Sequence, residues 1–274
     1  VLISMLDDER NAIYLHIDKR AVGLYQKIKG FKIKKAGFYL IEKNMKVYWG
    51  DISLVKVEYL LFETALKNGP YAYYHLLSGA DLPIKSQDYI HEFFHKNSGK
   101  EFVGFWQDAA HQRDLERKVS RYYFFTQRLK DKGNMLHGIT AFLRNTVLAL
   151  HKISNYRRKT TFEFKKGGQW VSVTENAVSY LLQYKDIILK RMRYTLCPDE
   201  IFIQTLLWNS PFREKMYCIH DASTGCMRDI DWEHGNPYVW QNADYKRLAD
   251  SNKIFARKFH SKQMKVVHEI QKSY

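Results

Sequence analysis

Six consecutive residues, Cys197-Pro198-Asp199-Glu200-Ile201-Phe202, put two adjacent carboxylates directly after a proline and ahead of an apolar run ending at Trp208. Pro198 fixes its own φ and turns Cys197 away from helical geometry, so a helix is expected to start here. Asp199 and Glu200 then fall in its first turn, where free N–H groups and the helix dipole favour negative charge. Two readings stay open. One is an ordinary acidic first turn; the other is a carboxylate aimed into a cleft from an otherwise apolar element, able to take a proton as a general base. A second acidic pair, Asp229-Ile230-Asp231, has the spelling of a metal-binding Asp-x-Asp motif. It reads better as a solvated turn with Trp232 as its anchor.

The elements that must position these groups alternate along the chain. Asn11–Ile17 is a short apolar strand delivering Asp18 at its end, and Ala36–Leu40 and Lys46–Trp49 are further short strands. From Ser53 to Leu66, Leu54, Val57, Leu60, Leu61, Thr64 and Ala65 recur at helical spacing. Asn68-Gly69-Pro70 stops that helix. Tyr71–Leu77 reads as a buried strand, followed by the turn Ser78–Asp81, a helix over Ser86–His95 and a strand over Glu101–Phe105. Such alternation predicts an α/β sheet with helices on its faces, whose sites gather beyond the C-terminal strand ends, where Asp18 and Asp81 fall. Beyond it, Arg113–Arg158 reads as helical and basic, Gly167–Val173 as a strand and Thr174–Arg191 as one helix. Met216–His220 is a last strand, and the C-terminal stretch is basic and helical. No linker or repeat divides the chain, so residues 1–274 are expected to form one domain.

Hydrophobic residues make up 45% of the 274 and aromatics 15%, enough for a packed core. The formal charge of +15 predicts attraction to something anionic, whether nucleic acid, an acidic membrane surface or a phosphate-bearing substrate. The basic residues are spread widely, which suits a solvated, weakly membrane-philic surface better than a nucleic-acid groove. Cys197, Cys218 and Cys226 form no even disulfide framework and no usual zinc spacing, and are read as free thiols. No apolar run approaches the roughly 20 residues that cross a bilayer. The chain opens on Val1 in mid-pattern, so a first strand or targeting element is expected upstream.

Taken in order, YLHIDKR (14–20), VYWGDISLVKVEYLLFETAL (47–66), YYHLLSGADLPIKS (73–86), EFVGF (101–105), GGQWVSVTENAVSYLL (167–182), CPDEIFIQTLLWNSPF (197–212), IDW (230–232) and IFARKF (254–259) resemble the core-2/I-branching enzyme family. These glycosyltransferases include β-1,6-N-acetylglucosaminyltransferases and peptide O-xylosyltransferases. The resemblance implies a GT-A-type α/β fold, a Rossmann-like mixed sheet flanked by helices. It also implies a UDP-sugar donor, inversion at the anomeric carbon and, as in the branching members, no metal or other cofactor.

Inverting transfer needs one carboxylate to take the proton of the attacking hydroxyl. The resemblance assigns this to Glu200, with Asp199 as its partner on the acceptor side. It assigns the diphosphate to Arg257 and Lys258. The family's His-Pro-Arg is here Asn236-Pro237-Tyr238, so Tyr238 stands where an Arg is usual. Either Arg247 or Arg257 supplies the missing charge, or donor binding is weak, or activity is impaired. His16 and Asp18 match the uridine segment, Gly79 and Asp81 the loop under the donor sugar, and Trp49 and Ser53 the same pocket. Glu116, Arg117 and Arg121 match the acceptor groove, where Trp170 could stack on a sugar or belong to the core. UDP-GlcNAc is the first expectation for the donor and xylosyl transfer the second, with a glycan or lipid-linked saccharide as acceptor. Small size and few cysteines suit a cytoplasmic bacterial enzyme held at the inner face of an anionic membrane. The rivals are a non-catalytic sugar-nucleotide or glycan binder and a basic nucleic-acid-binding domain.

Overall fold

The computed structural model describes residues 1–130, 135–159 and 162–273. The first part runs α1 (Leu2–Met5), β1 (Ala12–Leu15), α2 (Val22–Lys29), β2 (Gly37–Leu40), α3 (Ser53–Asn68), β3 (Tyr73–His75), β4 (Asp81–Pro83) and α4 (Gln87–Lys96). The middle holds α5 (Ala109–Ser120), α6 (Met135–Ile153), β5 (Ser172–Thr174), α7 (Glu175–Gln183) and α8 (Lys185–Met192). A 3-10 turn (Pro198–Glu200) leads into α9 (Phe202–Trp208), then α10 (Ala222–Cys226), β6 (Arg228–Ile230), α11 (Tyr245–Asp250), β7 (Phe255–Arg257) and α12 (Met264–Lys272).

Several helices begin where a short polar side chain can serve the free N–H groups of the first turn. Ser86 accepts from the Tyr89 N–H at α4, Asp108 from Ala110 and His111 at α5, and Thr174 from Ala177 at α7. The helix expected over Thr174–Arg191 is two helices, because the chain bends at Tyr184 between α7 and α8. The helical reading of Arg113–Arg158 holds for α5 and α6, which are separate; residues 131–134 lie outside the described residues.

Instead of one continuous sheet, the described strands form three small ladders. β1 and β2 are parallel, β3 and β5 antiparallel, and β7 lies between antiparallel β4 and parallel β6. Glu101–Phe105 contributes only two isolated bridges, Glu101 to Met216 and Phe102 to Ser172, and Met216–His220 is otherwise irregular. Lys46–Trp49 is no strand. Its two central amides go to side chains, Val47 donating to the Asp18 carboxylate and Tyr48 to the Ser53 hydroxyl, so neither is free for a ladder. The C-terminal stretch is not all helical either, since Phe255–Arg257 is the central strand β7.

The largest core joins α3, α7, α8 and α9 to the segments around Val103 and Val171–Val173. All seven residues of α9 are buried, so it is a core helix. That burial fixes the acidic turn at its head. Gly167 closes the other side: its amide donates to the Glu200 carbonyl at 2.9 Å. A Cβ there would sit 1.9 Å from the Gly104 carbonyl oxygen, so only glycine lets these backbones meet.

Candidate active site

Cys197 adopts the left-handed conformation at φ 49°, and its amide donates to the Gly50 carbonyl. The chain then turns through Pro198-Asp199-Glu200 and sends its two carboxylates to different environments. The Asp199 side chain is buried, and its Oδ1 has no hydrogen-bond partner. Burial, then the charge of Glu200, pushes its carboxyl up to about 7. Glu58 of α3 lies behind it, fully buried with both oxygens unpartnered, and burial plus Asp199 holds it well above the usual carboxylate range.

Glu200 keeps 28% of its side chain exposed and meets two buried ammonium groups. Lys118 Nζ lies 3.3 Å and Lys166 Nζ 3.4 Å from its Oε2. The same two lysines reach Asp114 Oδ2 at 2.9 and 2.7 Å, and Arg117 donates to Asp114 Oδ1 at 2.6 Å. Burial alone would raise Asp114, yet Lys166, Arg117 and Lys118 together hold it below the carboxylate range. Lys118 loses by burial but gains more from Glu200, Cys197 and Asp114, and its ammonium is held above the ordinary lysine range. The result is an alternating group of two carboxylates and two ammoniums at the mouth of the acidic turn.

Indoles border that group. Lys166 Nζ lies 4.9 Å from the centroid of the Trp106 ring, and Trp106 meets Trp232 edge-on at 6.0 Å. Trp232 is 44% exposed; it offers an open aromatic face and is not a buried anchor. Trp170 is the reverse. It is buried, and Arg257 covers its ring at 4.3 Å, so its place is in the wall.

The residues expected to hold the donor fall into two groups. At the end of β1, His16 Nε2 accepts from the Met45 amide and is lowered by burial, while Asp18 binds Arg20 and the Val47 amide and is held low by Arg20. Both brace the 45–47 loop. Trp49, exposed at 53%, lies under Lys130, and Ser53 is buried, accepting from the Tyr48 amide.

In the second group Asp81 is no free acceptor for a sugar hydroxyl. Arg257 holds Oδ1 at 2.7 Å and the Ser78 amide holds Oδ2; burial still raises its carboxyl despite Arg257. Arg257 also donates to the Ser78 hydroxyl, so it is committed to this loop and not available to replace the missing charge at Tyr238. Gly79, at the tip, has open space where a Cβ would stand. Tyr238 donates to Asp244 and packs edge-on against Trp240, over which Arg247 lies at 4.8 Å. Arg247 therefore brings a guanidinium beside Tyr238, though it also binds Asp231 at 2.9 Å. Lys258 is half-buried; its amide donates to the Tyr238 carbonyl and its own carbonyl accepts from Trp240.

On the acceptor side only Arg117 joins the Glu200 group. Glu116 pairs with Arg157 on the surface, and Arg121 accepts from Arg158 through its carbonyl. The Asp229-x-Asp231 segment ends β6 and is not a solvated turn: the Asp231 side chain is 4% exposed and accepts from the amides of Glu233 and His234 and from the Arg247 guanidinium, with the His234 ring against it. Among the described residues no group of three His, Cys, Asp or Glu is placed to hold a metal ion.

Asp114, Lys118, Lys166 and Trp106 escaped the sequence reading. A usable signal was Lys118 itself, set between Leu115 and Val119 on the apolar side of α5, where a lysine needs a buried partner.

Fold and site together define a mixed α/β protein with a lysine-clasped carboxylate whose Lys166 lies over Trp106. The chain belongs to the Core-2/I-Branching enzyme family, whose model matches residues 1–272. It is similar to xylosyltransferase 2 of Rattus norvegicus, 24% identical over 98% of this chain and 31% of that protein. Xylosyltransferase oxt of Drosophila melanogaster is 23% identical over 94% and 30%, and Homo sapiens xylosyltransferase 2 is 22% identical over 98% and 31%. The chain thus spans about a third of the length of these relatives.

Proposed function

We propose that the chain is an inverting glycosyltransferase domain of GT-A type that moves a sugar from a UDP-sugar to an acceptor hydroxyl. The observation that carries this is the Glu200 carboxylate, partly open and braced at Oε2 by two buried lysines, one of which lies over Trp106, with Trp232 edge-on to that indole. Since both lysines engage Oε2, Oε1 is the oxygen that takes the proton of the attacking hydroxyl. The acceptor sugar stacks on the exposed indole of Trp232. Proton transfer and attack on the anomeric carbon proceed together; the sugar–phosphate bond breaks, and UDP leaves with the bonding pair. Lys258 neutralises the diphosphate as a mobile ammonium, with Arg247 the second cation beside Tyr238. No metal is required in this scheme.

The relatives are named xylosyltransferases, which favours UDP-xylose over the UDP-GlcNAc expected from the sequence. A panel of UDP-sugars assayed in EDTA for binding and UDP release tests both points. Glu200→Gln should cut turnover by about 10²–10⁴-fold and leave donor binding within a factor of about two. Full turnover in that variant would remove Glu200 from the chemistry, and activity only with added Mn²⁺ would overturn the metal-independent scheme.

A further inference from the structure

Helix α6 is inside out for a surface helix, which ordinarily turns its apolar stripe to the core. Its inward positions include His137, whose Nδ1 bonds the Arg128 carbonyl, Thr140, Arg144 and His151, which packs between Tyr122 and Tyr156. Ile139, Phe142, Leu143, Leu150 and Ile153 all face out, at spacings of three, four, eleven and fourteen residues from the first. Phe142 is 70% exposed and Ile153 82%. These positions make one stripe along the helix. α6 carries no acidic residue, and between Glu116 and Glu163 the sequence holds Arg117, Lys118, Arg121, Arg128, Lys130, Lys132, Arg144, Lys152, Arg157, Arg158 and Lys159 against the single acid Asp131.

We infer that α6 is an interfacial helix that lies in the headgroup region of an anionic membrane. Phe142, Ile153 and their neighbours enter the acyl boundary, and the surrounding cations, Lys130, Lys152 and Lys159 among them, meet lipid phosphates. A lipid surface matches this patch better than a protein does, because fluid acyl chains accept bulky residues without a complementary shape, and the one-signed charge needs a one-signed partner. No helix among the described residues is long and apolar enough to cross a membrane, so α6 lies on the surface and does not span it. The +15 charge of the chain, diffuse in the sequence, thereby acquires a docking face.

The test is co-sedimentation of the full chain with vesicles of phosphatidylcholine alone and of phosphatidylcholine mixed with phosphatidylglycerol. The chain should bind the anionic vesicles and release as salt is raised. The double variant Phe142→Ser/Ile153→Ser should lower partitioning at least about tenfold. Its thermal midpoint should not fall, since neither side chain is in the core. No binding of the parent chain to anionic vesicles, or equal binding by the variant, overturns the proposal. A parent chain that ignores vesicles but sediments as a dimer, and becomes monomeric in the variant, also overturns it and gives the stripe to a second copy.

Discussion

Replacing Asp199 by Asn should change how stability depends on pH, by an amount that follows from its surroundings. The carboxyl is buried, lacks a partner for Oδ1, and has Glu200 next in the chain and Glu58 behind. Burial and the Glu200 charge move it from 3.8 to about 7. Between those values the folded chain keeps a proton that the unfolded chain has released. Stability therefore falls as pH rises through this window, at up to about 1.4 kcal/mol per pH unit for one group. Across about pH 4.5 to 7.5 the loss is about 3 kcal/mol. Glu58, raised by its own burial and by Asp199, pushes in the same direction. Asp18, Asp114 and Asp231 are held low instead and titrate below the window, where stability rises with pH.

Asn keeps the shape of a neutral carboxyl and cannot ionise. The advantage of Asp199→Asn over the parent chain should therefore grow by about 3 kcal/mol between about pH 4.5 and 7.5. That corresponds to roughly 6 °C in melting temperature at the upper end. Urea unfolding followed by tryptophan fluorescence at a series of pH values measures it. A stability difference that stays flat across the series would mean that Asp199 ionises at its ordinary value and that water or a partner reaches its oxygens. Adding Glu58→Gln should flatten the remaining slope further.

Lys118→Met keeps the aliphatic stem but leaves Asp114 and Glu200 to share Lys166 and Arg117; it should cost about 3 kcal/mol in urea unfolding, and lower kcat with little change in donor KM because Glu200 loses a brace. Arg257→Met strands the buried Asp81 carboxylate, with an expected loss of about 3–5 kcal/mol; Arg257→Met/Asp81→Asn should recover much of it, and strictly additive losses in that cycle would deny the coupling. Among the three thiols, Cys218 should alkylate first in the native chain. Cys197, pushed up to about 12 chiefly by burial, and Cys226, raised likewise, should wait for unfolding; peptide mass spectrometry of iodoacetamide-treated protein would expose early labelling at either.

What the sequence made legible follows from how local its causes are. The spans of α3 and α4 and the start of α7 depend on a few neighbouring residues and were readable from spacing, whereas the helix expected from Pro198 begins at Phe202, after a separate 3-10 turn that holds both carboxylates. The strand expected over Lys46–Trp49 failed because its central amides, of Val47 and Tyr48, are taken by the side chains of Asp18 and Ser53, pairings that periodicity does not encode. The expected single sheet is instead three small ones: its ladders are three or four residues long, and Glu101–Phe105, expected as a full strand, contributes isolated bridges alone.

The site divides in the same way. The acidic turn drew notice because proline, paired acids and an apolar run are contiguous, and the family resemblance then pointed to Glu200, whereas its lysines come from α5 and from the residue before Gly167, 82 and 34 positions away by count along the chain. Arg257 shows the converse. A basic residue in IFARKF looks free to meet a diphosphate, but β7 lies against β4 in antiparallel register, with Arg257 opposite Asp81, and the guanidinium is used internally. Its neighbour Lys258 lies just past the end of β7, and its backbone is paired with Tyr238 and Trp240. Side-chain pairing therefore divides the two cations: Arg257 holds the loop, and in the proposed scheme Lys258 is the cation that follows the departing charge.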